Sequence, residues 1–317
     1  MENNSNNLNQ ANTPVVNYNA ADDEIDLREL FTAIWQGKWT IIIITALFAV
    51  ASVIYAINQP NIYKSEALLA PAEEQQGGLG ALAGQFGGLA SLAGVNLGGG
   101  SSNKAQLAIE VLKSRQFTSD FIQKHNILTD LMAAESWDMQ TNTVIYDSEI
   151  FDAENNKWVR EVKAPFKPEP SMQEAYKEFS KILSASSDKE TGMVKIAVEH
   201  VSPYVAKQWV EWLIQDINAT MKQRDVQEAI KSTDFLTQQL EQTKIADIRA
   251  VLYKLVEEQT KTIMFAKVRD EYVFKTIDAA LVPEEKFKPK RALIAILGTM
   301  LGGMLSVMLV LVRNYMK

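Results

Sequence analysis

This chain of 317 residues has no cysteine. That removes disulfide frameworks, thiolate nucleophiles and thiolate metal sites, and it selects no compartment. Histidine is scarce as well: His125 and His200 lie far apart, and neither has a companion at metal-ligand spacing. Each is therefore read as a satisfied or solvent-facing side chain rather than a ligand, and no metal is expected. Positive charge is in deficit, with 32 Lys and Arg against 39 Asp and Glu and a net charge of −7, which argues against a basic face for nucleic acid. There is no G-x-x-x-x-G-K-[ST] phosphate loop, so no ATPase site is expected. The G-x-G-x-x-A at Gly78, Gly80 and Ala83 lacks an acidic residue about twenty positions later, and its glycine-dense setting produces such a match by chance. Proline and glycine are both absent from residue 204 to 282, which leaves a long stretch with nothing to break a helix.

What the chain does have is a long apolar run near each end. Residues 292–312 carry no charge, follow Pro289, Lys290 and Arg291, and precede Arg313 and Lys317. Residues 39–57 are similarly apolar, with Trp39 and Tyr55 where interfacial aromatics sit. About 20 apolar residues are what a helix needs to cross a bilayer. Two spans put both termini on one side and residues 58–291 on the other. The first run is read as a retained anchor, because a long acidic segment (Asp22, Asp23, Glu24, Asp26) precedes it where a signal peptide needs a short basic one. Orientation follows the first span: Arg28 and Lys38 precede it and only Lys64 closely follows, favouring a cytoplasmic N-terminus. The basic group Lys286, Lys288, Lys290 and Arg291 before the second span points the other way.

Residues 1–23, rich in Asn and Ala, read as a disordered tail. Leu27, Leu30, Phe31, Ile34 and Trp35 give residues 24–38 one apolar helical face, either a juxtamembrane helix lying at the surface or an extension of the span. A strand is expected over residues 62–70. Residues 77–100 then hold ten of the fifteen glycines among leucines, a composition too apolar for a solvated linker and suited to packing on a partner or near the membrane. One helix is expected over 103–127, irregular chain with short strands at 143–146 and 157–162 over 132–167, and a second helix over 171–182. A hairpin is expected from strands 183–187 and 193–200, because Val194, Ile196 and Val198 alternate with polar or small residues. Residues 203–269 read as a helical arm, followed by a strand over 271–278. If the strands at 62–70, 193–200 and 271–278 share a sheet, the arm must go out and return, about 33 residues each way at ~1.5 Å per residue. Ile245, Ile248, Leu252, Leu255, Gln259, Thr262 and Ala266 keep the 3-4 spacing of a coiled-coil seam. Nothing near Thr243 breaks the helix strongly, so a single longer rod is the alternative.

Candidate side chains for chemistry are few. Asp147 with Glu149, and Asp152 with Glu154, are carboxylate pairs in a polar loop, where solvation is the commoner reason for them than glycosidase chemistry. Trp209 and Trp212 stand at the foot of the arm, where helix-on-sheet packing outweighs sugar stacking as an explanation.

Four stretches resemble a known family: Glu24 through Leu30 with Trp35 and Lys38; Tyr63-Lys64-Ser65-Glu66-Ala67 with the later Leu89-Ala90-Ser91-Leu92-Ala93-Gly94; Leu112-Lys113-Ser114-Arg115; and Pro283 through Pro289-Lys290, followed after eleven residues by Gly302-Gly303-Met304. Together they are similar to the polysaccharide co-polymerases, the Wzz-type O-antigen chain-length determinants. Two features depart from the family pattern: Lys288 stands where serine often precedes the last proline, and Leu305 and Val307 follow Gly303 where smaller residues are usual. The arm is also short. No kinase domain is expected after the second span, so the resemblance is not to the related tyrosine autokinases of capsule export.

The resemblance implies an α+β membrane protein of the inner membrane, with two transmembrane helices flanking a periplasmic α/β base that bears a long, coiled-coil-like helical arm. It implies both termini in the cytoplasm, no enzymatic activity and no cofactor. Its implied partners are further copies in a homo-oligomeric ring, the O-antigen polymerase, lipid-linked polysaccharide and the membrane, and no nucleic acid. Gly298, Gly302 and Gly303, which include a G-x-x-x-G, are the expected membrane-helix packing residues. Pro283, Pro289 and Lys290 mark the motif before the second span, and Leu89, Leu92 and Gly94 are candidate oligomer or partner contacts. The competing readings are a periplasmic export adaptor, a capsule or exopolysaccharide co-polymerase lacking its kinase, and, third, a membrane-bound carbohydrate hydrolase.

Overall fold

The computed structural model describes residues 27–72 and 101–316, with the side chains of 27–30, 33 and 101–103 left aside. The expectations for the tail and for Leu89, Leu92 and Gly94 lie outside the described residues. In chain order the elements are α1 (Leu27–Gln36), α2 (Lys38–Asn58), β1 (Tyr63–Pro71), α3 (Ser101–Leu112), α4 (Arg115–His125), α5 (Leu128–Met132), β2 (Ala134–Asp138), β3 (Thr143–Tyr146), β4 (Phe151–Asp152) and β5 (Lys157–Trp158). They continue as α6 (Met172–Ile182), β6 (Leu183–Ser187), β7 (Val194–His200), α7 (Pro203–Gln242), α8 (Ala246–Val268), β8 (Phe274–Asp278) and α9 (Arg291–Tyr315). These fall into two compact units, one taking in the two ends of the chain and the other Ile57–Arg291.

The Ile57–Arg291 unit is built on an antiparallel sheet in the order β6-β7-β1-β8. Tyr63 pairs with His200 and Leu69 with Val194, which puts Tyr63, Ser65, Ala67 and Leu69 on the buried face together with Val194, Ile196 and Val198. The lower half of α7 lies on that face through Trp209, Leu213 and Ile217, four residues apart and fully buried. Ile109 and Leu112 of α3, Phe121 of α4 and Phe179 of α6 close the same core. Each such side chain contributes about 1.5–3 kcal/mol by leaving water. The strands at 62–70, 193–200 and 271–278 thus do share one sheet, and the arm goes out and returns.

The arm's halves are unequal, 40 residues in α7 and 23 in α8. The chain turns at residues 243–245, where Thr243 and Ile245 adopt extended backbone. The 3-4 seam of α8 faces α7: Ala266 is buried, Leu252, Leu255, Gln259 and Thr262 are half-buried, and Ile245 and Ile248 near the turn are exposed. The seam closes at the base and opens toward the tip.

The expected single helix over 103–127 is two helices. Lys113 N–H donates to Ile109 O and Ser114 N–H to Val111 O, which tightens and ends α3. Ser114 then caps α4 by accepting from Phe117 N–H at 3.3 Å, and Asn126 closes it at φ 52°. The stretch expected to be irregular holds two small hairpins, β2–β3 and β4–β5, and the strand expected over 157–162 is only Lys157–Trp158. At α6 the expected helix begins with a full capping box between Ser171 and Glu174. The final strand starts at Phe274 rather than 271, because Val273 and Phe274 bond a side chain of α7 at that point.

In the other unit, α1 ends at Gln36 and α2 begins at Lys38, with a turn at Gly37 between them. Lys38 Nζ lies 4.8 Å from the centre of the Trp35 ring. Both α2 and α9 are long and apolar enough to cross a membrane.

Candidate functional site

Two neighbourhoods hold the residues singled out from the sequence, one in each unit. In the first, α2 and α9 run antiparallel. A Cβ placed on Gly298 would collide with Ser52, one on Gly302 with Phe48, and one on Gly37 with Val310. Thr45 Oγ1 and Ser306 Oγ stand 3.4 Å apart between these points, and Ser306 also donates to Gly303 O at 2.7 Å. The contact face of α9 is therefore Gly298, Gly302, Ser306 and Val310, one residue every four, a ridge along the i, i+4 row of that helix. Glycine at two of these positions lets the backbones approach, as small residues do between membrane helices. Gly303 is turned aside, with Thr45 Oγ1 3.9 Å from its would-be Cβ.

The second neighbourhood is where the Ile57–Arg291 unit hands over to the apolar helices. Ile62 N–H donates to Lys288 O at 2.9 Å, while Phe287 and Lys288 N–H both donate to Ile62 O, so the two exits of the chain leave side by side. Arg291 reaches across to Gln59 O at 3.4 Å and Asn61 Oδ1 at 3.2 Å, and lies 3.5 Å from Ile57 O. Lys288 pairs with Glu199 of β7 at 2.5 Å. Half of the basic group that opposed the expected orientation is thus engaged in protein contacts. Pro283 is half-buried; Pro289 is half-buried too, with its carbonyl accepting from Arg291 N–H, while Lys290 is exposed.

Between these exits and the arm lie polar contacts that the sequence did not reveal. Asn218, buried on α7, accepts from Val273 and Phe274 N–H at 2.8 and 2.9 Å and donates to Phe274 O at 3.1 Å. Asp216 receives Lys124 at 2.5 Å and His125 Nε2 at 2.8 Å, and the His125 ring stacks on Trp212 with centres 4.2 Å apart. Tyr272 donates to Asp225 at 2.7 Å, with Lys104 on the same carboxylate; burial, then Asp225, pushes the phenol up to about 12. His200 is buried, with Nε2 at 3.0 Å from Asp130 O and Nδ1 accepting from Ser202 N–H, and burial holds its pKa below the ordinary value. Both histidines fasten helices rather than face a cleft. Trp209 is in the core beside His200, as expected of a packing residue. Asp147 accepts from Glu149 N–H and Asp152 from Glu154 N–H, so the carboxylate pairs form turns. Among the described residues no group of three or more metal-ligating side chains comes together.

Residues 23–125 match the Wzz family model, "Chain length determinant protein", and residues 237–315 match the GNVR model, "G-rich domain on putative tyrosine kinase". The chain belongs to the Wzz-type polysaccharide co-polymerase family. The two matched parts of this Wzz-type chain meet in space, since β1 lies in the first, β8 in the second, and Leu69 pairs with Thr276. The three glycines of the second match are Gly298, Gly302 and Gly303. No curated protein matches the co-polymerase chain. Similar solved structures include a "full-length bacterial polysaccharide co-polymerase", 14% identical over 92% of this chain and 98% of that one, with a TM-score of 0.38. Another is a "Fragment of WzzB, Polysaccharide Co-polymerase from Salmonella Typhimurium", 12% identical over 72% and 100%, with a TM-score of 0.26. Membership rests on the two sequence matches.

Proposed function

We propose that this co-polymerase is a non-catalytic inner-membrane scaffold that regulates the modal chain length of O-antigen, or a related surface polysaccharide, made by a polymerase. The observation that carries this reading is the placement of the two family matches at opposite ends of the chain, each with one span-length helix and one strand of a shared sheet. In this reading α2 and α9 cross the membrane, both termini are cytoplasmic, and residues 58–291 are periplasmic. Copies assemble into a closed ring that engages the polymerase and its lipid-linked polysaccharide. Gly298 and Gly302 hold the paired spans together, and Leu89, Leu92 and Gly94 supply a contact with a neighbour or partner. The test is deletion of the gene followed by complementation: the O-antigen ladder on a gel should lose its mode and recover it. An unchanged ladder refutes the reading, and loss of secretion with normal lengths supports an export adaptor instead.

The match to a domain described on tyrosine kinases favours a second reading, control of a capsule or exopolysaccharide. In that case deletion leaves the lipopolysaccharide ladder intact and shifts the size distribution of the secreted polymer.

A further inference from the structure

Helix α8 has a second 3-4 repeat on the side away from α7. Ala250, Tyr253, Glu257, Thr260, Met264 and Val268 follow one another at three, four, three, four and four residues. At about 100° per residue they point opposite Leu255, Gln259 and Ala266. All six are exposed, Tyr253 at 55%, Met264 at 60% and Val268 at 84%. A helix in a two-helix arm needs one apolar face, so the large apolar side chains left exposed at the base of the other, Met264 and Val268, mark an interaction surface. Lys267 and Lys261 border Met264 and Val268, and Lys261 is paired with Glu257 and Glu258.

On the other flank of α7 a groove of ≈ 670 Å³ runs between that helix and α3–α4. Leu107, 51% exposed, and Val111 form its apolar wall, with Glu110 and Asp120 on its rim. The hydrogen bonds of these two acids come from uncharged amides, Gln106 to Glu110 at 3.1 Å and Gln116 to Asp120 at 2.9 Å. Lys124, also in the groove, is turned to Asp216, and Arg224 lies on the α7 side.

Knob and groove stand at the same height along α7. Lys222 Nζ donates to Arg269 O at 3.0 Å, and Ala266 and Lys267 share a hollow with Ala219, Lys222 and Val226. The groove meets α7 from Asp216 to Arg224. We propose that Met264 and Val268 of one copy enter this groove on a second copy, with Lys267 facing Glu110 and Asp120. The contact joins two different faces, so it repeats from copy to copy. Because the two faces are level, the repeat advances around an axis along the arm with little rise, the condition a closed ring needs and a filament does not. This interface rests on the oligomeric scaffold proposed above.

The absence of cysteine makes the test direct. In membranes under mild oxidation, full-length Met264→Cys and Leu107→Cys should each stay at monomer size, while the double variant gives a ladder of dimer, trimer and larger species. Val268→Cys with Leu107→Cys should do the same, which covers a failure of the first pair to fold. Lys267→Glu should reduce the ladder about tenfold through like-charge juxtaposition, and Glu110→Lys in the same chain should restore it. Dimers from Met264→Cys alone would mean that α8 meets α8, overturning the proposal. A Leu92→Cys and Leu107→Cys pair that closes within one chain would mean that the glycine-rich stretch fills the groove, with the same consequence. If neither double variant cross-links although the detergent particle is oligomeric, the interface is wrong and the scaffold stands. If the particle is a single copy, both fall.

Discussion

Asn218 joins the arm to the sheet, and its removal gives the sharpest test of how the fold is held. The side chain is 3% exposed and satisfies two N–H groups and one carbonyl of the chain entering β8. Asn218→Ala strands those groups behind the arm. Each unpaired buried backbone group costs about 1–3 kcal/mol, so the set costs about 3 kcal/mol once some water enters. A loss of that size makes local opening roughly a hundredfold more frequent, at ~1.4 kcal/mol per factor of ten. Hydrogen exchange followed by mass spectrometry on the full-length protein in detergent should show this in peptides spanning 273–278, with the hairpin β6–β7 nearly unchanged. Gln227→Ala, at an exposed position on the same helix, is the control. Exchange at 273–278 within twofold of the parent protein in the Asn218→Ala variant would refute the reasoning, because it would mean that strand pairing with β1 alone holds β8.

Gly302→Leu should separate α2 from α9, at an overpacking cost of about 1–3 kcal/mol, and broaden the polysaccharide ladder. Gly303→Leu should be milder, since its Cβ meets Thr45 only at 3.9 Å; equal effects from the two would refute the assignment of the contact face. Arg160, bonded to Glu174, and then the backbone N–H of Ser171 hold the Glu174 carboxyl down to about 2. A depressed carboxylate stabilises the fold above its unfolded pKa, so the melting temperature should fall as pH drops from about 4.5 toward 2, more steeply than in Glu174→Gln. Parallel curves for the two proteins would rule this out. Arg291→Ala should free the exits of the Ile57–Arg291 unit, raising exchange at Ile62 by the equivalent of about 1 kcal/mol while leaving the core protected; unchanged exchange at Ile62 would show that the Ile62–Lys288 pairing suffices without it.

Much of the backbone was legible in the sequence because local patterns fix local states. Apolar length gave α2 and α9, alternation gave β7, and the absence of proline and glycine after Tyr204 gave the arm. The return of the arm followed only on the premise of a shared sheet, and the structure supplies that premise. The serine that divides α3 from α4 was visible as Ser114, three residues before Phe117, yet the apolar rhythm runs through it and hid the break. Only the tertiary structure decided where the arm turns, because residues 243–245 contain no glycine or proline and the turn is set by what α8 packs on. Only it distinguished Gly302, against Phe48, from Gly303, one residue on and turned aside. Nor did helical periodicity mark Asn218 or Asp216, whose partners are other elements of the fold. A run of residues specifies its own dihedrals and which side is apolar. What lies against that side comes from another part of the chain, and its identity appears only when the two are packed together.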